Sequence, residues 1–489
     1  MNKGNSNKVN QVPQIKPFER ILSLFLNITF NLLILFAALS IKYLPFEQWL
    51  LPFAILSLFQ LIINLISVYK LEGNFVTLSS LFVIFFYITH LSFLVIFGFR
   101  INVELPWDPL LSLSKVAFKE ACYYGVLCHS CITFGMCTVL YRRKNYNVNL
   151  IIDSQKEEEK QLYLSRIIGF ILIIMGLIPM LYLDISRILL YINGNYLDTY
   201  TIGASGFIVT ISRFTEIGVI MLLIGIHKNK KKAYITLLII VIYETIIMFT
   251  GNRGRPIMFL TIVFYIYINF IKKIGFKQFL NIILGVYILG FVLTFVGQIR
   301  MLQLNTESIF LALKNSLINF SFYQVLAEFG VTIISLGLSL EYFSFIESFS
   351  YGSNYVASLL TIFPNINDFL DPIVEKSIFV YSLPSHAFLG GSIIGELYYN
   401  FGNFSYIFAI IIGIFVGFIS KKVKENILRK KYIVLSIYLI LFPNILWWIR
   451  SYFIDMVREF VWTTLLILFL YKYFDGRFKI KTKGGFNEI

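Results

Sequence analysis

Cysteine is scarce in this chain, and its placement removes two kinds of protein. The four cysteines, Cys122, Cys128, Cys131 and Cys137, all fall within one apolar run. Crowded there, they cannot staple distant loops, so a disulfide scaffold is excluded. Cys128-His129-Ser130-Cys131 has the spacing of metal ligands, but a structural zinc needs four ligands closing one site, and small core residues are the better reading. Charge is thin as well. Asp, Glu, Lys and Arg make up 14% of 489 residues against 57% hydrophobic ones, which excludes a soluble globular enzyme. A P-loop, an HExxH, a GxSxG and a paired CxxC are all missing, which disfavours phosphoryl transfer from a nucleotide and zinc hydrolysis. No repeat at a fixed period and no inverted repeat is visible, so a transporter built from two related halves gains no support.

What the chain does have is apolar runs of membrane-spanning length. They lie near 21–41, 49–69, 75–98, 121–141, 167–191, 206–226, 233–250, 256–271 and 279–296, then near 404–420, 433–449 and 459–471. The expected fold is therefore all-α and polytopic, with about 12 transmembrane helices (about 14 if a further pair is present). The arm 1–20 is polar and basic, and the first run is long enough to span, so no cleavable signal peptide is expected.

The formal net charge of +15 does not point to nucleic acid, because the basic residues sit in short clusters between the runs. Arg142-Arg143-Lys144, Lys228 to Lys232, Lys272-Lys273, Lys421 to Lys431 and the tail from Lys472 all fall on one side of an alternating topology. The positive-inside rule makes that side the cytoplasm and places both ends there. The expected organisation is a cytoplasmic arm 1–20, a transmembrane bundle 21–296, an extracytoplasmic loop 297–403, transmembrane helices 404–471 and a basic cytoplasmic tail 472–489. Segment 297–403 is too long for an ordinary connection and too apolar for a free loop, so interfacial or re-entrant helices are expected in it; two further full spans would preserve the topology.

Ionisable residues inside the runs mark candidate chemistry. Asp184 with Arg187, Arg213 with Glu216, and Glu244 all lie toward the outer ends of their runs, which suggests an outward polar chamber; local ion pairs are the plainer alternative. Between two runs stands Gly251-Asn252-Arg253-Gly254-Arg255-Pro256. Pro256 suits the first position of a helix, whose free N–H groups beside two arginines would hold a phosphate or diphosphate. Arg300, Arg450 and Arg458 are further arginines on the same side. Trp447-Trp448 reads as an interfacial belt, and Asp455 with Arg458 as a local ion pair.

The most informative stretch is His386-Ala387-Phe388-Leu389-Gly390-Gly391-Ser392-Ile393-Ile394-Gly395-Glu396-Leu397-Tyr398-Tyr399-Asn400-Phe401-Gly402. Read as a helix from Gly391, it places Ser392, Glu396 and Asn400 on one face. A carboxylate in so apolar a setting is costly unless it is paired or used. A small-residue packing seam with one polar residue hydrogen-bonded to a neighbour is the alternative.

Taken together, Gly251-Asn252-Arg253, Tyr351-Gly352-Ser353-Asn354-Tyr355 before Pro364, the Gly391–Gly402 stretch, and Arg450 to Arg458 resemble the Wzy family of O-antigen and capsular oligosaccharide repeat-unit polymerases. His386 and Arg255 are not part of that pattern. The resemblance implies a GT-C-like membrane glycosyltransferase that moves a growing glycan from undecaprenyl diphosphate to a new lipid-linked repeat unit outside the cytoplasmic (inner) membrane. On that reading Glu396 is the leading catalytic base, with His386 in reserve. Arg253, Arg255, Arg300, Arg450 and Arg458 would bind diphosphate. Ser392, Tyr398, Tyr399 and Asn400 would face the glycan. No cofactor or metal is expected, since arginines can neutralise the diphosphate. Partners would be the undecaprenyl-diphosphate-linked oligosaccharide, membrane lipids, and a chain-length regulator and flippase. The competing readings are an O-antigen ligase or other lipid-diphosphate glycosyltransferase, a flippase or transporter for the same lipid-linked unit, and a structural assembly partner.

Overall fold

The computed structural model describes residues 17–102, 108–142, 155–193, 206–250, 253–272, 276–299, 306–318, 322–342, 349–363, 369–382 and 390–477. The regular elements among them are helical. In chain order they begin with α1 (Pro17–Ser40), α2 (Phe46–Glu72), α3 (Leu78–Gly98), α4 (Pro109–Ser112), α5 (Lys115–Tyr141), α6 (Gln155–Asn193) and α7 (Gly206–Ser212). Next come α8 (Phe214–Ile226), α9 (Lys230–Met248), α10 (Gly254–Ile266), α11 (Phe276–Ile299), α12 (Thr306–Ile318), α13 (Phe322–Gly330) and α14 (Thr332–Tyr342). The last are α15 (Ser353–Leu360), α16 (Asp371–Ser377), α17 (Ile393–Phe401), α18 (Ser405–Leu428), α19 (Tyr432–Trp448) and α20 (Phe453–Asp475).

Among the described residues, 9 helical stretches are long and apolar enough to cross a membrane: Pro17–Ser40, Phe46–Glu72, Leu78–Gly98, Lys115–Tyr141, Gln155–Asn193, Gly206–Ile226, Gly254–Ile271, Phe322–Glu341 and Ile393–Leu428. The protein is thus an all-α, multi-pass membrane protein. Each of the twelve apolar runs read from the sequence overlaps a helix. Outside the nine, α19 is too short and α9 and α20 are too charged, while α11 is an apolar helix of 24 residues with a single lysine. Phe322–Glu341 was not among the expected runs, because Glu328, Glu341, Ser335 and Ser339 dilute its hydropathy. Ile333, Ile334, Ser335, Leu336 and Ser339 are nevertheless buried, so this stretch packs into the bundle interior.

Close packing follows from small residues. A Cβ built on Gly135 of α5 would fall on the Ile410 carbonyl of α18, and one on Gly413 would fall on the Ile132 carbonyl of α5. The two backbones therefore touch, as small residues permit between membrane helices. Polar side chains bind the first helices together. Asn64 Oδ1 of α2 accepts from Asn27 Nδ2 at 3.1 Å and Asn31 Nδ2 at 2.9 Å, both on α1. Gln60 Nε2, one turn along α2, donates to Ser130 Oγ of α5 at 2.6 Å and to the Val126 carbonyl at 2.9 Å. Burying amides this way is tolerable because partners replace the lost water.

Basic residues gather at both ends of the bundle, lysines at one and arginines at the other. At one end Glu158 receives Lys228 at 2.6 Å and Lys430 at 2.5 Å, which brings the 228–232 and 421–431 lysine segments to the same end. At the far ends of α9 and α19 lie Arg253, Arg255 and Arg450, and there the candidate site is built.

Candidate active site

The site forms where the short helix α17 begins. Ser392 is extended (φ −152°) and caps the helix, its Oγ accepting from Gly395 N at 3.1 Å. The helix therefore starts at Ile393 rather than Gly391, because a serine side chain satisfies an amide that the first turn leaves open. The turn between α19 and α20 folds over this start. Ile393 N donates to the Ile449 carbonyl at 3.2 Å, and a Cβ on Gly391 would collide with the Ser451 carbonyl. Only glycine lets the two backbones approach so closely.

Within that cradle Glu396 is fully buried. Its Oε2 accepts from Trp448 Nε1 at 2.8 Å, and its Oε1 faces the Phe453 amide at 3.4 Å. A cation does not stand among these contacts; two neutral donors hold the carboxylate in an apolar shell. Tyr355 of α15 completes it, its ring 5.2 Å from that of Phe453 and 6.0 Å from that of Phe401. The Tyr355 hydroxyl is buried and finds no hydrogen-bond partner among the described residues. Burial, and then the nearby Glu396 charge, push that hydroxyl well above its ordinary pKa, so it stays protonated.

The other residues expected in this stretch are held by the protein. Ser392 Oγ also meets His90 Nε2 of α3 at 2.9 Å. Asn400 donates to the Glu396 carbonyl at 2.8 Å and accepts from Gly352 N at 3.0 Å, fixing the Tyr351–Gly352 turn. Tyr398 packs edge-on against Tyr124 and Phe349, and Tyr399 packs at a tilt against Phe379. Tyr398 and Tyr399 are part-exposed, whereas Ser392 and Asn400 are buried. His386 and Arg300 lie outside the described residues, as do Gly251 and Asn252.

The arginines separate into groups. Arg253 is buried, pairs with Glu328 of α13, and donates to the Leu293 carbonyl of α11 at 2.7 Å. The guanidinium of Arg450 lies 5.4 Å over the ring of Phe329, next to that same Glu328. Arg253 and Arg450 thus meet at one end of α13, while the Arg450 carbonyl lies against Gly390 just ahead of α17. Arg255 turns the other way. Its Nη2 bonds both oxygens of Glu459 at 2.7 Å, and Arg213 joins the cluster through Glu216 at 2.9 Å and Glu459 at 3.2 Å. Arg458 donates to the Thr361 carbonyl at 2.6 Å.

Three sequence expectations change here. Helix α10 starts at Gly254, so Pro256 occupies its third position, still within the turn whose amides need no intrahelical partner. Trp448 is not part of an interfacial belt: it is buried and bonded to Glu396. The charged residues expected to line a chamber do line one common pocket, but a small one. Asp184 pairs with Arg187 at 2.8 Å and accepts from Tyr243, and the space left among Asp184, Arg213, Glu216, Glu244 and Arg255 is about 30 Å³, room for about one water. Glu328, Glu459, His90 and Tyr355 were missed as site residues, since nothing local in the sequence announces a partner on another helix. Among the described residues, no group of 3 or more His, Cys, Asp or Glu side chains could hold a metal ion.

Fold and site together define a polytopic helical membrane protein with a buried, donor-held carboxylate beside an arginine-bearing turn. A family model described as O-antigen polysaccharide polymerase Wzy matches residues 23–481, and the chain belongs to that family. It is also 29% identical over 191 residues to Protein CapE of Staphylococcus aureus; the match covers 37% of this chain and 40% of CapE, less than half the length of that relative. No solved structure matches the chain.

Proposed function

We propose that the protein polymerises lipid-linked oligosaccharide repeat units into O-antigen or capsular polysaccharide. It would work at the outer side of the bacterial cytoplasmic membrane, with both chain ends in the cytoplasm and with a GT-C type of transfer. Family membership supports the reaction class. The observation that carries the site assignment is the Glu396 carboxylate, fully buried yet bonded, among the described residues, only to the Trp448 indole and the Phe453 amide.

In this reading the acceptor sugar hydroxyl attacks the anomeric carbon of the growing glycan. The bond from that carbon to the diphosphate oxygen breaks, and the hydroxyl proton passes to Glu396. Trp448 and Phe453 aim the carboxylate without neutralising it, as a base requires. The leaving undecaprenyl diphosphate gains charge as the bond breaks, and Arg253 and Arg450, gathered at the end of α13, stabilise it. Glu328 keeps Arg253 in place until the diphosphate displaces that contact. Arg255, engaged by two carboxylates, holds α10 to α20 instead. Tyr398 and Tyr399, part-exposed, offer ring faces to the glycan.

The test is a gel of surface glycan from a deletion strain complemented with wild type or Glu396→Gln. Ladders restored by wild type but collapsed to single repeat units with the variant support the reading. Full-length polymer that is made but unattached in the deletion strain would identify a ligase instead.

A further inference from the structure

One cavity near the surface is remote from Glu396. It opens at the lysine-rich end of the bundle, between the first turns of α6, the end of α8 and the end of α20, and measures about 810 Å³. Four cations line it, Arg166, Lys228, Lys232 and Arg477, against one carboxylate, Glu159. We propose that this pocket binds the phosphate headgroup of an anionic phospholipid.

Three observations converge on that ligand. The first is charge: the excess of cations persists although Lys228 is partly neutralised by Glu158 at 2.6 Å. Basic pockets between membrane helices on the cytoplasmic side recognise phospholipid headgroups in this way. The second is shape at the membrane boundary. Leu162, Tyr163 and Ile167 form an apolar wall on α6, and the Arg166 guanidinium lies 5.8 Å over the Tyr163 ring, which fixes it at the rim. The third is continuity with an apolar outer surface. Phe170 and Ile174, further along α6, are 58% and 56% exposed, and Leu238 and Ile239 of α9 are 61% and 62% exposed. Acyl chains can lie along these faces while the headgroup stays among the cations. A soluble anion would use the cations but leave the apolar faces unused. The sequence beyond Arg477 adds Lys479, Lys481 and Lys483, which raise the attraction for an anionic membrane surface.

The proposal does not depend on the polymerase reading, because its test measures binding. The full chain, purified in detergent, is examined by native mass spectrometry with dioleoyl phosphatidylglycerol, tetraoleoyl cardiolipin or dioleoyl phosphatidylcholine. The two anionic lipids should be retained over phosphatidylcholine. Lys232→Gln combined with Arg477→Gln changes two exposed side chains, so the variant should fold as wild type does. It should weaken the anionic adducts by about 25-fold, roughly fivefold for each charge removed, and leave phosphatidylcholine adducts unchanged. Equal retention of phosphatidylcholine, or wild-type phosphatidylglycerol binding by the double variant, would overturn the proposal. Inorganic phosphate at millimolar concentration should not displace the lipid; displacement would make free phosphate the ligand and overturn the lipid assignment.

Discussion

The Trp448 indole donates to the Glu396 carboxylate at 2.8 Å, joining the end of α19 to the first turn of α17. The bond is wholly enclosed, so it is stronger than an exposed one and costly to leave half made. It also distinguishes catalysis from packing, because the two roles respond differently to replacement of either partner.

Glu396→Gln should insert normally, since glutamine can keep the Trp448 bond, and should lower polymerisation by about 10²–10⁴-fold. Glu396→Asp should retain part of the activity if the shorter carboxylate still reaches the hydroxyl. A packing role predicts the reverse order, with Gln nearly harmless and Glu396→Leu poorly expressed. Glycan length measured beside membrane-fraction protein decides between them.

Trp448→Phe removes the donor and keeps most of the apolar contact. A hydrogen bond to a charged group contributes about 1.5–3 kcal/mol, so repeat-unit transfer by the purified variant should fall by roughly 10- to 150-fold if that bond orients the base. An unchanged transfer rate at equal protein would remove Trp448 from the mechanism.

Arg253→Lys should be impaired nearly as badly as Arg253→Ala. Lysine preserves charge but lacks the planar fork that meets Glu328, the Leu293 carbonyl and, in the proposal, a diphosphate. Normal polymer length from the lysine variant at matched levels would show that charge alone matters there.

Arg255→Met should lower thermal stability more than Arg255→Met combined with Glu459→Met. Breaking this half-buried pair from one side leaves Glu459 with Arg213 alone, at less than the roughly 3–5 kcal/mol of a fully stranded buried charge, whereas replacing both partners leaves no carboxylate short of its cation. Melting in detergent checks the order, and equal losses would mean that the pair is effectively solvated.

Single cysteines at positions 230 and 450, in a background without the native four, test the orientation. An impermeant thiol reagent should label intact cells at 450 and not at 230; the opposite pattern would invert the topology.

Hydropathy revealed the helices because a bilayer demands long apolar runs, and each run read from the sequence meets a helix. It expected only interfacial or re-entrant helices, or a further pair of spans, around Phe322–Glu341, whose two glutamates reach Arg253 and Ser114. Ser335 donates to the Gly390 carbonyl. Glu396 was legible as a candidate because a lone carboxylate in an apolar helix is conspicuous. Its neighbours were not. Trp448 carries the same residue type as any interfacial tryptophan, and only the fold turns its N–H inward. The divergence of Arg253 from Arg255 was hidden for a similar reason: two residues apart at the start of α10, they find carboxylates on α13 and α20.

The amide ladder of Asn27, Asn31, Gln60 and Asn64 acts as a detent between α1 and α2. Sliding α1 by one turn would carry both of its asparagines past Asn64 and strand buried amides, each at about 1–3 kcal/mol. Ser130 ties α5 into the same register through Asn31 and Gln60, and the glycine contacts bring α18 against α5. These four helices should stand still as a stator during turnover. Any swing that admits a bulky lipid-linked chain then falls to the helices outside it.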